Sequence, residues 1–304
     1  MGEWQNSWKT IIGKLQTISD PAHEQRLLKA LCQPEAPTVV GFVNAHAMNL
    51  VAGNADYCQS LASADVLLRD GAGMAILYRR LGLAPGLNMN GTDLIPKLLA
   101  AFKGRRVAFW GTEEPFLSRA VACSEAQFGV LPVSVHDGFA EMATYLELAR
   151  ATQPELIVLG MGMPKQEAVA ARLAASGGPC LIVCGGAILD FLGGKVSRAP
   201  QWLRRLGGEW VYRLLREPRR LFMRYVVGNP LFLLRTLLCT KAMSLEAILP
   251  TGQTVILSHV DNFNFNWHSA YVYADDAAPL VPKGTVMKIT AWHDNTAANK
   301  ANPD

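Results

Sequence analysis

Several features that would identify chemistry are missing from this sequence. Its six cysteines are scattered and include no CxxC pair, which argues against a disulfide scaffold and a zinc site. Arginines and a Gly-Asn-Pro step interrupt every apolar window of about 20 residues, the length that a membrane-spanning helix needs. The N-terminus shows no apolar core of a signal peptide. These absences favour a cytoplasmic location and reduced thiols.

Two ligand-binding motifs are also missing. Gly73 is followed by Met74-Ala75-Ile76, so a full G-x-G-x-x-G dinucleotide fingerprint is absent. The first 240 residues contain no DxD, the carboxylate pair that could hold Mg²⁺ or Mn²⁺ on a diphosphate. We therefore expect no metal and no cofactor, with diphosphate charge met by helix N-termini and arginines.

Charge is distributed unevenly along the 304 residues, half of which are hydrophobic. Residues 1–194 carry a net charge of −2, residues 195–241 a net charge of +9, and residues 242–304 a net charge of −3. The basic stretch implies an anionic partner. We predict three domains with these boundaries: an α/β catalytic core, a basic helical appendage and a short β-rich tail.

The first two-thirds of the chain alternate short apolar runs with longer helical patterns. We predict strands over 38–43, 66–68, 106–110, 133–136, 156–159 and 181–183, and helices over 74–81, 93–102, 114–128, 140–151 and 165–175. This alternation predicts an α/β fold with a Rossmann-like, mainly parallel sheet and flanking helices. Ligands of such sheets bind at the carboxyl ends of the strands, so we expect a site for an anionic small molecule, in particular a nucleotide.

Two segments at strand ends carry candidate chemistry. Asp70 begins the sequence DGAGM, where Gly71 and Gly73 would let the backbone approach a ligand and Asp70 would act as a base; alternatively, Asp70 only caps a turn. In LGMGMPKQE, Lys165 and Gln166 would reach out from the first turn of a helix to hold phosphate or sugar. The alternative for this segment is a helix start without a ligand.

The basic stretch interleaves arginines with Trp, Tyr and Leu at helical spacing. This pattern predicts a helix lying in the interface of an anionic membrane. An ordinary amphipathic helix packed on the core is the alternative.

Taken together, these motifs make the chain from about residue 40 to 238 resemble the WecG/TagA/CpsF family of glycosyltransferases. The matching stretches, in order, are VNAHAMNL, ADxxxxDGxGM, NGTDL, GMGMPKQE and GxxSRAPxWLRRLGxEWVYRLLxEPRRLxxRY. The resemblance implies an inverting, metal-independent hexosyltransferase that acts in bacterial surface polysaccharide synthesis. It would move a sugar, often N-acetylmannosamine, from a UDP-sugar onto an undecaprenyl-diphosphate-linked sugar.

The resemblance also implies a peripheral position on the inner face of the cytoplasmic membrane, whose anionic surface would be a partner. Nucleic acid is not expected as a partner. Association into a homo-oligomer is compatible with the sequence. By motif position, Asp70 matches the catalytic base of the family. The residues that we expect to bind substrate are Asn44, His46, Asn90, Gly160, Gln166, Arg213, Arg220 and Arg224. For His46, a structural role is the alternative.

The sequence departs from the family at two places that concern the donor. Asn88-Met89-Asn90 stands where many members have a basic step, and Phe42 stands where some have Thr. A glucosyl or other hexosyl donor therefore stays open. Two other functions also remain: a nucleotide-dependent oxidoreductase or epimerase, which predicts tight NAD(P) binding, and a non-catalytic membrane-surface module, in which replacing Asp70 changes nothing.

The tail differs from the rest of the chain in its sequence pattern. Residues 247–259 and 270–274 alternate like strands, with turns at Thr251-Gly252 and Lys283-Gly284. The tail resembles a fragment of copper type II, ascorbate-dependent monooxygenase-like proteins, in which His259, His268 and His293 would be candidate ligands. Since a two-domain copper enzyme does not fit in about 60 residues, we favour a gene fusion or an inert appended β-rich segment over a copper site.

Overall fold

A computed structural model describes residues 3–177, 180–197, 199–200, 209–238, 242–250, 254–261 and 281–291, with the backbone alone at some helix and strand positions. The chain divides into two compact units, Met1–Ile76 with Ala84–Phe232, and Leu77–Leu83 with Leu233–Asp304. The predicted domain boundaries at residues 194 and 241 stay predictions.

The first unit contains a parallel β-sheet, which in the described residues has seven strands. These are β1 (Leu15–Gln16), β2 (Thr38–Val43), β3 (Val66–Arg69), β4 (Arg106–Gly111), β5 (Leu131–His136), β6 (Leu156–Gly160) and β7 (Leu181–Cys184). Their order in the sheet is β1-β3-β2-β7-β6-β4-β5, and every neighbouring pair is parallel. The predicted α/β class and the six predicted strands are confirmed.

Helices connect these strands. They are α1 (Glu3–Lys14), α2 (Pro21–Leu31), α3 (Ala45–Val51), α4 (Ala55–Ala62), α5 (Gly71–Arg80), α6 (Gly91–Ala101), α7 (Phe116–Phe128), α8 (Met142–Thr152), α9 (Lys165–Ala175) and α10 (Ile188–Leu192). The five predicted helices are confirmed as α5 to α9. The helices α1 to α4 were not predicted, although side-chain oxygens of Asp20, Asn44 and Asn54 cap the starts of α2, α3 and α4.

The core lies on both faces of the sheet. The central strands are apolar at nearly every position, because a parallel sheet covered by helices on both sides offers no solvated face. At the N-terminus, the fully buried Trp8 of α1 donates its indole N–H to the carbonyl of Met48 at 2.7 Å. Its ring also packs on Phe232, with the centroids 5.4 Å apart.

Residues 209–238 form α11 (Glu209–Arg216), α12 (Pro218–Phe222), a π-helical turn (Met223–Val227) and α13 (Gly228–Leu238). Leu221 and Phe232 are buried, and the Asn49 side-chain amide donates to the carbonyl of Gly228 at 2.7 Å. Other apolar side chains of this segment remain exposed: Trp210, Val211, Leu215, Phe222, Met223, Val226, Val227 and Leu231. Throughout the described part of the chain, no helix combines the length and apolarity required to cross a bilayer.

The second unit contains an antiparallel sheet in the order β10-β8-β9, from β8 (Ala242–Ile248), β9 (Thr254–Asp261) and β10 (Val286–Ala291). This confirms a β-rich tail, but β8 begins at Ala242 and not at Ala247. The turn at Lys283-Gly284 is confirmed, with Gly284 at φ +94°. Residues 270–274, His268, His293, the turn at Thr251-Gly252 and the side chain of His259 lie outside the described residues.

Candidate active site

A cavity of about 510 Å³ opens at the carboxyl edge of the parallel sheet. Its lining includes a residue at or directly after the end of five strands: Asn44, Asp70, Thr112, Gly160 and Gly185. Because all strands are parallel, these ends meet at one edge, where the helix N-termini also point. The cavity therefore lies at the edge of the sheet where the sequence pattern predicts a ligand site.

Asp70 follows β3 and is held against the end of β2. Its backbone N–H donates to the carbonyl of Val43 at 2.8 Å, which extends the pairing of β3 with β2 by one residue. Its Oδ2 accepts a hydrogen bond from the Asn44 side-chain amide at 3.3 Å. Asn44 is itself fixed, because its Oδ1 accepts from the backbone N–H of Ala47 at the start of α3. The helix cap thus orients the candidate catalytic carboxylate.

The turn behind Asp70 is secured by a buried arginine. The Arg69 guanidinium donates to the carbonyls of Gly71, Pro85 and Gly86 at 2.7 to 3.1 Å. The backbone N–H of Gly71, which lies at φ +87°, donates to Asn88 Oδ1 at 2.7 Å. Asn88, one of the departures from the family pattern, therefore closes the DGAGM turn in this chain.

Two glycines near the site leave room for close packing of the protein itself. A Cβ added at Gly73 would lie 3.2 Å from Ala45 Cβ and 3.4 Å from the Phe232 ring, so Gly73 provides space for these neighbours. The expectation that Gly71 and Gly73 let the backbone approach a ligand stays a prediction. At Gly111 an added Cβ would lie 2.3 Å from the carbonyl carbon of Gly160, its paired neighbour on β6.

The first turn of α9 is bound to protein loops. Lys165 Nζ donates to the carbonyls of Gly138 and Ala140, at 2.9 and 2.7 Å. Gln166, which also lines the cavity, accepts from the backbone N–H of Gly186 at 3.0 Å and donates to Glu167 Oε1 at 2.8 Å. Lys165 is thus engaged by a loop more than 20 residues earlier, and Gln166 by Gly186 and by its neighbour Glu167. Whether either side chain also holds a ligand stays a prediction.

Glu167 is a carboxyl group almost without solvent contact. Burial raises its pKa to about 7, although the hydrogen bond from Gln166 acts in the opposite direction. Among the described residues its Oε2 has no hydrogen-bond partner. Burial also raises the pKa of the Tyr57 hydroxyl and of the Cys184 thiol, and the nearby Glu167 charge adds to both shifts.

Arg224 and His46 line the same cavity. Burial lowers the pKa of His46 to about 4, and the positive charge of Arg224 contributes, so the imidazole is neutral at pH 7. Arg224 comes from the π-helical turn, and with Leu221 and Met223 it forms a wall of the cavity. The basic stretch thus takes part in the site.

The structure brings six predicted site residues together around the cavity: Asn44, His46, Asp70, Gly160, Gln166 and Arg224. Asn90 is placed differently, because its side chain caps α6 and bonds to the N–H and carboxylate of Asp93; its neighbours Gly91 and Thr92 line the cavity instead. The side chains of Arg213 and Arg220 lie outside the described residues. The substrate-binding roles of these eight residues and the catalytic role of Asp70 stay predictions.

The cavity lining also contains residues that were not among the predicted site residues, and four of them carry polar or aromatic chemistry: Thr112, Phe139, Asp190 and Lys195. Thr112 adopts φ +49°, uncommon for a β-branched residue, and its hydroxyl donates to Asp190 Oδ1. Lys195 Nζ lies 3.6 Å from the same oxygen and 3.1 Å from Glu113 Oε1. The position of Thr112 after a predicted strand was a usable signal, whereas nothing local marks Phe139.

The fold and the cavity define an α/β protein with a carboxylate and cations in a crevice at the ends of parallel strands. Residues 13–245 match the Glycosyl transferase WecG/TagA/CpsF family, and the chain belongs to this family. The resemblance noted from the motifs is confirmed, and the match begins before the first motif.

Two curated relatives carry the name N-acetylglucosaminyldiphosphoundecaprenol N-acetyl-beta-D-mannosaminyltransferase. The protein of Bacillus subtilis strain 168 is 26% identical over 187 residues, which cover 60% of this chain and 73% of the relative. The protein of Bacillus spizizenii W23 is 29% identical over 171 residues, which cover 55% of this chain and 66% of the relative. The matched segments thus span about two-thirds to three-quarters of these relatives.

Proposed function

We propose that this protein is an inverting glycosyltransferase of bacterial surface polysaccharide synthesis. It moves an N-acetylmannosamine-type sugar or another hexose from a UDP-sugar onto an undecaprenyl-diphosphate-linked glycan. The observation that carries the proposal is the Asp70 carboxylate, oriented by Asn44 inside a cavity that the family match covers. The names of the two relatives support a lipid-linked N-acetylglucosamine acceptor.

In this proposal, Asp70 acts as the general base and removes the proton from the acceptor hydroxyl. The oxygen of that hydroxyl attacks the anomeric carbon of the donor at the same time. The bond from that carbon to the UDP oxygen breaks on the opposite face, so the configuration inverts in one step. Asn44 fixes the carboxylate in direction, which a general base requires. The neutral His46 adds no charge close to this base at pH 7.

The departing UDP carries negative charge that the cavity must stabilise. Arg224 and Lys195 line the cavity as cations, and loops rich in glycine expose backbone around Gly160 and Gly185. Fixed cations and dipoles stabilise charge that develops in the transition state without reorganisation. The transfer that we propose therefore needs no metal.

Phe139 fits the base of the donor. Its side chain is 75% exposed although it lines the cavity, and an exposed aromatic ring at a cavity rim offers a stacking surface for a planar ring such as uracil. The donor sugar itself stays open between the N-acetylmannosamine type and other hexoses.

A lipid-linked acceptor lies in a membrane, so the enzyme must reach the membrane surface. Residues 209–231 have the side chains to bind that surface. Their exposed apolar side chains lie in the stretch that carries a net charge of +9. Apolar insertion and attraction to anionic lipid together hold peripheral proteins on a bilayer. We propose a peripheral position on the inner face of the cytoplasmic membrane.

The test is incubation of the purified protein with a panel of UDP-sugars and a prenyl-diphosphate-linked N-acetylglucosamine acceptor, with UDP release and glycan mass followed together. We expect acceptor-dependent UDP release from one UDP-sugar, and this release should survive EDTA. Tight NAD(P) binding without transfer would support the oxidoreductase or epimerase instead. Loss of turnover on chelation, restored by Mg²⁺, would refute the metal-free step.

A further inference from the structure

The loop of residues 137–140, between β5 and α8, is held tightly although its aromatic side chain is exposed. Each of its last three backbone N–H groups has an acceptor. Gly138 donates to the carbonyl of Thr112 at 3.2 Å, and Phe139 donates to Asp137 Oδ1 at 2.8 Å. Ala140 donates to the Tyr145 hydroxyl at 3.1 Å.

The carbonyls of this loop are bound from two helices. The Tyr145 hydroxyl of α8 donates to the carbonyl of Asp137 at 2.8 Å. The ammonium of Lys165 in α9 bridges the carbonyls on either side of Phe139, those of Gly138 and Ala140. Hydrogen bonds from an ionised donor are stronger than neutral ones, so Lys165 is the main restraint on the outer half of the loop.

Lys165 is directed at this loop and away from the cavity space. Among the described residues that line the cavity, Phe139 and Gly138 are present and Lys165 is not. Its Nζ also lies 5.6 Å from the centroid of the Tyr145 ring, a second contact on the same side. Lys165 therefore restrains the loop that carries Phe139 at the edge of the cavity.

We propose that Lys165 is a positioning residue for donor binding, which clamps the loop so that the Phe139 ring is preorganised to stack on the base of a nucleoside diphosphate donor. The inference rests on the proposed function. A side chain exposed on a mobile loop loses conformational entropy when a ligand binds, whereas a clamped loop has already lost it. Lys165 should therefore influence donor affinity more than the chemical step.

The clamp itself is tested without any substrate by amide hydrogen exchange. In Lys165→Met, the amides of Phe139 and Ala140 should exchange about tenfold faster or more, as expected for loss of charge-assisted hydrogen bonds. Lys165→Arg keeps two donors and should restore most of the protection. Lys29→Met, at an exposed lysine of α2, is the matched control and should leave these amides unchanged. Unchanged exchange in Lys165→Met would overturn the clamp.

The link to the donor is tested by steady-state kinetics on the same variants. Lys165→Met and Phe139→Ala should each raise the donor KM about tenfold with a smaller effect on kcat, as expected for loss of one stacked base. The double variant should show little further rise, since both changes remove one interaction. A fall in kcat at unchanged KM, or fully additive effects, would refute the positioning role. If the wild type uses no UDP-sugar, the proposed function fails while the exchange result stands by itself.

Discussion

The residue that decides the chemistry is Asp70, and its replacement is the first prediction. Asp70→Asn keeps the size of the side chain and can still bond to Asn44, so the fold and UDP binding should be retained. Loss of a general base typically lowers the rate by about 10²–10⁴. UDP release in the transfer assay measures the loss, and UDP titration is the control. Turnover at the wild-type rate would show that Asp70 only caps the turn.

Glu167 gives a prediction for pH. Its pKa in the folded protein is about 7, against an ordinary value of 4.5, so the folded state holds the proton more tightly. Stability contributed by this proton is fully present below pH 4.5 and is lost as pH rises through 7. Glu167→Gln cannot ionise, so relative to wild type its free energy of unfolding should rise by about 3 kcal/mol over this window.

Urea unfolding of both proteins at several pH values measures this difference. His46 provides the matched comparison, because its folded pKa of about 4 lies below its ordinary value of 6.5. The unfolded chain binds this proton more tightly, so the His46 contribution to stability is lost as pH falls from 6.5 to 4. His46→Gln should therefore change the pH dependence in the opposite sense to Glu167→Gln. If the free energies of unfolding of Glu167→Gln and wild type changed in parallel with pH, the raised pKa of Glu167 would be wrong.

At the scale of elements, the segment from α12 through the π-helical turn serves the cavity. It contributes Leu221, Met223 and Arg224 to the wall, so chemistry and appendage are coupled. Arg224→Ala should lower turnover even with a water-soluble acceptor, by about 10²-fold if the guanidinium meets charge growing on the diphosphate. Arg216→Ala, at an exposed arginine of α11, is the control. Equal turnover of both variants with a soluble acceptor would show that Arg224 does not contribute to the transfer step.

At the scale of the whole molecule, the exposed apolar side chains of residues 209–231 predict binding to anionic membranes. The double variant Leu215→Ser with Phe222→Ser changes two of them outside the cavity lining and should weaken binding to anionic liposomes several-fold. Leu131→Ser, at an exposed position of β5, is the control for surface polarity. Liposome co-sedimentation measures binding, and turnover with a soluble acceptor should not change. If the double variant sedimented with liposomes as the wild type does, this surface would not be the membrane-binding surface.

The α/β fold and the edge of the sheet at which the cavity opens could be predicted from the sequence. Buried parallel strands are short apolar runs bounded by breakers, and their carboxyl ends share one edge, so Asn44, Asp70 and Gly160 could be assigned to one crevice. Three of the five family motifs, VNAHAMNL, ADxxxxDGxGM and GMGMPKQE, lie at these strand ends. Local pattern was sufficient here because strand length, helix period and turn residues are encoded by neighbouring positions.

The contacts of the long polar side chains, in contrast, could not be predicted and follow from the assembled fold. Lys165 bonds to carbonyls more than 20 residues earlier, and Arg224 approaches His46 from a segment that no local pattern places beside α3. Asn90, expected at the substrate, instead caps its own helix. Flexible side chains bind whichever groups the packed loops bring within reach, and that proximity follows from the assembled sheet and helices.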